Sequence, residues 1–379
     1  MNNTLGRTFV SPLLIKALND EDECPNLAST LIHTNAVMNQ SYDEDEIIEH
    51  RRAFYDDQTV LYNNYRIIRD AQQQVENEQH NHLSLPICRR YPSNSTLAPT
   101  TPHLAHEDFP VVLTEGEIKA QQPIAHFIYD KIGIISQFFA EKLNISDVLG
   151  CRSEVNAIIH YGKNYANAFW NGQAIFFGDG DGRRMGAFYN DIDIIAHELS
   201  HGFITSNANF TYLFQSGALN ESVADVFGIM VKQYIQQQDV HQSNWLLGEN
   251  LFLDRQRAPG LRSMSDPGSA FYFSASIKDD QVGHMNKYRY LSIYQDNGGV
   301  HSNSGIPNKA FYLLAKSLGG YSWERAGKIW LNALLDENAN PSTDFRQFAK
   351  LTVKHASQLF SIDVAYKTRK SWFDVGIDT

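Results

Sequence analysis

The chain is short of cysteine, of long apolar runs and of clustered positive charge, and each shortage removes a class of protein. Cys24, Cys88 and Cys151 are its three cysteines in 379 residues. An odd and widely spaced set excludes a disulfide framework; at most one bridge forms and a thiol is left over. No apolar run approaches the roughly 20 residues that span a bilayer, so neither an integral membrane protein nor a membrane partner is expected. Lys+Arg 32 against Asp+Glu 43 gives a net charge of −11. With no arginine-rich tract, nucleic acid is not an expected partner either. The first apolar patch, Phe9-Val10-Ser11-Pro12-Leu13-Leu14-Ile15, is broken by proline and closed by Lys16, which does not fit a standard secretory signal peptide. No internal repeat is visible.

What is present is enough chain for two or three lobes. Residues 1–57 read as a leader with acidic runs at Asp20 to Glu23 and Asp43 to Glu46 and a short helix from Glu44 to Phe54. Charge runs of this kind are usually solvated faces, and a removable or regulatory extension is the other reading. Residues 58–203 read as an α/β lobe. It has strand-like stretches at Thr59 to Tyr62, Tyr65 to Ile68, Ala157 to Tyr161 and Gln173 to Phe177, and an amphipathic helix over Ala120 to Leu143. A Pro/Ser/Thr-rich loop from Tyr91 to Pro102 interrupts it. Gly178-Asp179-Gly180-Asp181-Gly182 lacks the Lys-Ser/Thr of a phosphate loop and reads as a tight turn. Residues 204–379 read as mainly helical, with helices expected over Lys309 to Ser317, Ser322 to Leu335, Asp344 to Phe360 and around Trp372. The fold class is α+β, a mixed α/β N-terminal lobe and an all-helical C-terminal lobe, with the helix described next between them.

That helix carries Ile192, Ile195, Ala196, Leu199 and Phe203 at helical spacing. The same winding sets His197 and His201 one turn apart on one side, where two imidazoles can grip one metal ion. Glu198 points elsewhere and is free to take a proton from an activated water. A catalytic zinc needs a third protein ligand and an open position. Glu221 lies 20 residues after His201 on the next expected helix, with Asp225 one turn further on. By themselves Glu221 and Asp225 also fit a solvated helix face.

Six ordered motifs resemble the thermolysin family of neutral zinc metalloendopeptidases over residues 110–379. They are Asn167-Ala168-Phe169-Trp170, Gly178 to Gly182, His197-Glu198-Leu199-Ser200-His201, Gly217 to Asp225, Leu261 to Pro267 and Asp296 to Gly305. The short acidic leader is more like the protealysin branch. The resemblance implies a thermolysin-like fold in which His197, His201 and Glu221 hold one zinc and Glu198 is the general base. It implies that His301 and Tyr212 donate to the oxyanion, with Asp296 fixing His301. Asp225 and Asn220 would hold the ligand imidazoles in the metal-binding tautomer. Asn167, Ala168 and Arg262 would align the substrate backbone. Met185, Phe188, Ile194 and Leu261 would line an apolar pocket, so cleavage is expected on the amino side of Leu, Ile, Val or Phe, with broad preference.

The family's double calcium site is departed from. Asp193 and Glu249 occupy two of its positions, but Lys232 and Leu246 stand where two acidic ligands are expected. Lys232 is therefore expected to pair with Asp193 or Glu249 in place of the ion, leaving calcium possible elsewhere. The leader is expected to act as a prosegment, docking through Phe9 to Leu14 and cut by the enzyme itself near Glu49 to Tyr62. Cys24 as a thiolate on the open zinc position is a weaker reading. Protein and peptide substrates are expected, with the chain a monomer. Export without a standard signal is expected, with a cytoplasmic location as the alternative. The rival functions are a zinc exopeptidase and a catalytically silent zinc-binding scaffold of the same fold.

Overall fold

The strands form where Ile, Val, Phe and Trp concentrate, and the central ones, Val155 to Ile159, Ala168 to Trp170 and Ala174 to Phe177, are buried throughout. The computed structural model describes residues 7–22, 30, 31, 34, 65–72, 107, 109–117, 122–149 and 154–379. Expectations for Cys24, Cys88, Cys151, the run at 43–46, the helix at 44–54, the cleavage region 49–62, the strand at 59–62, the loop at 91–102 and the boundary at 57/58 fall outside those residues.

Six strands form one mixed sheet: β1 (Arg7–Thr8), β2 (Tyr65–Asp70), β3 (Val111–Thr114), β4 (Glu154–Ile159), β5 (Ala168–Trp170) and β6 (Ala174–Phe177), in the spatial order β1-β5-β6-β4-β2-β3. β4 runs parallel to β2 and β6, while β5 runs antiparallel to β6 and β1 antiparallel to β5. β6 is buried at every position, as expected of a strand with both faces covered. Ala157 and Ile159 join the main core. Between them Ile158 turns to a second cluster, where Phe169 and Phe176 stack at 4.6 Å.

A long helix, α2 (Pro123–Leu143), packs on β2, β3 and β4. Proline at its start fits the first turn, and Asn144 in the left-handed region (φ 59°) ends it, its N–H donating to the Phe139 carbonyl. The centre of the molecule is the pair α3 (Ile192–Ser206) and α4 (Phe214–Ile235). Every residue of α3 from Asp193 to Ile204 is buried, so this helix is covered all round rather than along one stripe. Gly228 of α4 makes the close approach possible: a Cβ there would meet the Asp193 carbonyl oxygen at 2.7 Å.

The remaining helices are α5 (Asp296–Asn303), α6 (Gly305–Leu318), α7 (Ala326–Leu334), α8 (Phe345–Leu359) and α9 (Ile362–Phe373). α8 starts with a capping box between Asp344 and Gln347, and α9 with Ser361 accepting from the Val364 N–H. Trp330 of α7 stacks on Trp372 of α9 at 5.5 Å. This half is not wholly helical, since β7 (Leu246–Leu247) and β8 (Arg262–Ser263) pair antiparallel within it.

The leader docks through the expected apolar patch and continues beyond it: within residues 7–22, β1 extends the sheet and α1 (Pro12–Asp22) buries Ile15 and Leu18 completely in the main core. Burying two such side chains is worth roughly 1.5–3 kcal/mol each. Among the described residues no helix is long and apolar enough to cross a membrane.

Candidate active site

One helical turn brings His197 and His201 together with ring centroids 4.7 Å apart. α4 runs across them and adds Glu221, whose oxygens lie 3.5 Å from His197 Nε2 and 3.4 Å from His201 Nε2. One ligand atom from each of these three residues fits within 4.8 Å of the other two, and all three side chains are buried. The outer nitrogens are fixed first. His197 Nδ1 donates to Asp225 Oδ1 at 2.8 Å and His201 Nδ1 donates to Asn220 Oδ1 at 2.9 Å. Asn220 is oriented for this by its own donation to the Phe210 carbonyl at 3.2 Å. With the protons on Nδ1, both Nε2 lone pairs face the cluster, where they have no hydrogen-bond partner. Glu221 Oε2 and both oxygens of Glu198 are likewise buried without one.

Buried polar atoms left unpaired cost free energy, and convergent lone pairs of this kind suit a cation. Two imidazoles and one carboxylate with an open side are the donor set of a catalytic zinc, and the residues fit it. Burial pushes the Glu198 carboxyl up to about 8, against the pull of His197, Arg262 and His301. Burial also pulls His201 down, whereas for His197 the Glu221 and Asp225 carboxylates outweigh burial and raise it.

His301 reaches the same cleft from α5. The segment Asp296, Asn297, Gly298, Gly299 has φ between 48° and 86°, a left-handed turn that winds Asp296 back under His301. Asp296 Oδ2 accepts from the His301 N–H at 3.0 Å and Oδ1 faces Nδ1 at 2.5 Å. On the other side, His301 Nε2 stands 2.5 Å from the carbonyl oxygen of Thr8. Both ring nitrogens therefore face acceptors, so both carry protons and the ring is an imidazolium. Burial works against that charge, but Asp296 and Glu221 raise the pKa to about 9.

Tyr212 reaches the same cluster from the connection between α3 and α4. Its hydroxyl donates to Glu221 Oε1 at 2.5 Å and lies 3.5 Å from His301 Nε2.

The cleft holds the leader. β1 lies antiparallel along β5, and the Phe9 N–H donates to the Ala168 carbonyl at 2.9 Å. Asn167 brackets the next residue, its Oδ1 accepting from the Val10 N–H at 2.8 Å and its Nδ2 donating to the Val10 carbonyl at 3.1 Å. Arg262 Nη1 donates to the Phe9 carbonyl at 2.8 Å while Nη2 donates to Asp225 at 2.6 Å. The Phe9 ring is fully buried, 5.0 Å from the His197 ring, 6.5 Å from Phe188 and beneath the Arg262 guanidinium at 4.1 Å. Met185, Ile194 and Leu261 are buried in the same apolar cluster.

Two features escaped the sequence reading. Gly248, with φ +65°, closes the pocket: a Cβ there would stand 3.7 Å from the Phe9 ring and 3.2 Å from the Leu261 Cβ. Nothing local marks it, because the glycine acts through space. Asn308 of α6 donates to Asp225 Oδ2 at 2.9 Å, and a lone asparagine in a helix carries no signal of such a role.

At the start of α3, Lys232 Nζ is buried, pairs with Glu249, lies 3.8 Å from Asp193 Oδ2 and donates to the Leu246 carbonyl at 2.6 Å. Burial pushes the Asp193 carboxyl up and Lys232 pulls it down. Leu246 contributes its backbone to this cluster and no acidic side chain.

Comparison with known proteins agrees with this geometry. A family model described as the thermolysin metallopeptidase catalytic domain matches residues 125–205, and one for the alpha-helical domain matches residues 208–377. Protease PrtS of Photorhabdus sp. (strain Az29) is 40% identical over 359 residues, covering 94% of this chain and 87% of that protein. An extracellular metalloprotease of Pectobacterium carotovorum subsp. carotovorum is 45% identical over 268 residues, covering 71% of this chain and 77% of its own. The solved precursor of protealysin, a metalloproteinase from Serratia proteamaculans, aligns with a TM-score of 0.77 at 35% identity, covering 98% of this chain and 99% of that one.

Proposed function

Because the chain belongs to the thermolysin metallopeptidase family, we propose that it is a zinc endopeptidase cutting internal peptide bonds on the amino side of Leu, Ile, Val or Phe. The observation that carries the reading is the set of buried, unpartnered acceptors at His197, His201, Glu221 and Glu198. His197, His201 and Glu221 would hold the zinc, which as a Lewis acid would make a water nucleophilic near neutral pH.

The chain's own groups do the rest. Glu198, buried beside the three ligands with both carboxylate oxygens open as acceptors, takes the proton of the attacking water and passes it to the departing amine. The His301 imidazolium, held by Asp296, donates to the carbonyl oxygen as negative charge grows there. Tyr212, whose hydroxyl lies 3.5 Å from His301 Nε2, is the second donor to the same oxygen. Asp225 and Asn220 keep the ligand imidazoles in the competent tautomer. A substrate adds as an extra strand on Ala168–Trp170, with Asn167 and Arg262 fixing its backbone. Met185, Phe188, Ile194 and Leu261, with Gly248, receive the side chain that follows the cut bond.

The leader, residues 1–57, is an autoinhibitory prosegment on the two lobes 58–203 and 204–379, and the protein acts outside the cell as a monomer. Its occupation of the cleft supports the autoinhibitory role, and the likeness to an extracellular metalloprotease of Pectobacterium supports action outside the cell. Casein hydrolysis by leader-free protein tests the reading: a zinc chelator abolishes it and added zinc restores it. Hydrolysis that survives complete zinc removal overturns it.

A further inference from the structure

The leader lies in the cleft in the register of a substrate about to be cut. An inhibitor could equally bind backwards or out of register, and three observations exclude both. The Thr8 carbonyl is the one that His301 Nε2 faces, at 2.5 Å. The next residue, Phe9, puts a bulky apolar side chain between His197, Phe188 and the Arg262 guanidinium. Beyond it, Phe9 and Val10 make backbone bonds to Ala168, Arg262 and both ends of the Asn167 amide. Chain direction, oxyanion donor and pocket all single out one peptide bond.

We propose that Thr8–Phe9 is the first bond this enzyme cuts, within its own chain, and that the cut leader stays bound as an inhibitor. The proposal rests on the peptidase reading above. Water adds across the amide: its oxygen bonds to the Thr8 carbonyl carbon, the C–N bond to Phe9 breaks, Thr8 leaves as a carboxylate and Phe9 becomes an ammonium. Everything that holds the leader after Thr8 survives this cut. Phe9 and Val10 keep their contacts, and α1 keeps Ile15 and Leu18 buried. The segment ending at Thr8 loses its covalent tie, retaining the two-residue pairing with β5 and the bonds of Arg7 to His201 and Thr205. Latency therefore outlasts the first cut and ends only when α1 is removed.

Intact-mass measurement and N-terminal sequencing of freshly purified, zinc-loaded full chain test this. The expected result is a species beginning at Phe9, formed at a rate independent of protein concentration, with casein hydrolysis still latent. It is absent from Glu198→Gln. Phe9→Leu keeps the cut at residue 9, and Phe9→Asp slows it at least tenfold. A readout without catalysis uses metal-free Glu198→Gln and trypsin. The buried Arg7–Thr8 bond resists trypsin in that protein and is cut readily once Phe9→Asp is added. Protein that hydrolyses casein but never shows Phe9 at its N-terminus overturns the proposal and leaves the peptidase reading standing. So does equal tryptic cleavage after Arg7 in both proteins, or full casein activity on the first cut. If neither Thr8–Phe9 nor casein is cut, the peptidase reading itself falls.

Discussion

Replacing His301 by alanine removes a donor aimed at the oxygen of the reacting carbonyl, and the structure sets the size of the effect. The ring faces Asp296 Oδ1 and the Thr8 carbonyl oxygen at 2.5 Å each, buried and charged. A hydrogen bond with a charged partner is worth about 1.5–3 kcal/mol net, and in a water-excluded catalytic site an oxyanion donor is worth about 3–4 kcal/mol. The expected loss for His301→Ala is therefore about 10²- to 10³-fold in kcat, with KM changing little because the bond strengthens as charge develops. Asp296→Asn keeps the ring but removes the charge that raises its pKa. It should lose less, and its basic limb should move to lower pH, because activity needs protonated His301 and is lost as pH rises through that pKa. The assay is steady-state hydrolysis of a short peptide with an internal Gly-Leu bond by leader-free protein across pH. A loss under fivefold, or a loss confined to KM, would refute the oxyanion role. An unmoved basic limb in Asp296→Asn would refute the charge argument.

Three further outcomes are expected. Asn220→Ala leaves His201 Nδ1 without its acceptor and should weaken zinc binding about 10- to 100-fold, read by competition with a chromophoric chelator. Lys232 pairs with Glu249 and lies 3.8 Å from Asp193 Oδ2, so a calcium-selective chelator should leave the Tm of zinc-loaded protein unchanged, whereas Lys232→Glu should melt lower and regain Tm with added calcium. A drop of many degrees in the unaltered protein would sink this idea. Glu115 is held at about 2, below its usual 4.5, by the Arg66 fork at 2.6 and 2.8 Å, burial opposing and Tyr129 adding a bond. A lowered carboxyl pKa stabilises the fold above its ordinary value, and that contribution is lost as pH falls toward about 2. Glu115→Gln should flatten the loss of Tm in that window.

The parts of this protein that were legible in its sequence are those where local pattern and local chemistry coincide. His197, Glu198 and His201 are set by one turn of one helix, and α2 and α4 follow a plain helical period. Distance in sequence hid the rest. α5 escaped notice because the four-residue left-handed turn from Asp296 to Gly299 replaces helical periodicity with glycine and asparagine. β5 read only as a connection, being three residues long and identifiable as a strand only from its pairing with β1 and β6 on either side. The docking of Phe9 to Leu14 was expected, but not its register. That depends on Asn167, Arg262 and His301 meeting one backbone from three elements. Tyr212 lies at the same cluster, and its order in the chain does not reveal its bond to Glu221.

The central claim is that Glu198 moves the proton while His197, His201 and Glu221 hold the metal. Zinc content and casein hydrolysis measured together on leader-free Glu198→Gln test it most directly. The account predicts one zinc per chain, as in the unaltered protein, with hydrolysis reduced at least about 10³-fold. A variant that keeps its zinc and hydrolyses casein at a comparable rate would contradict it.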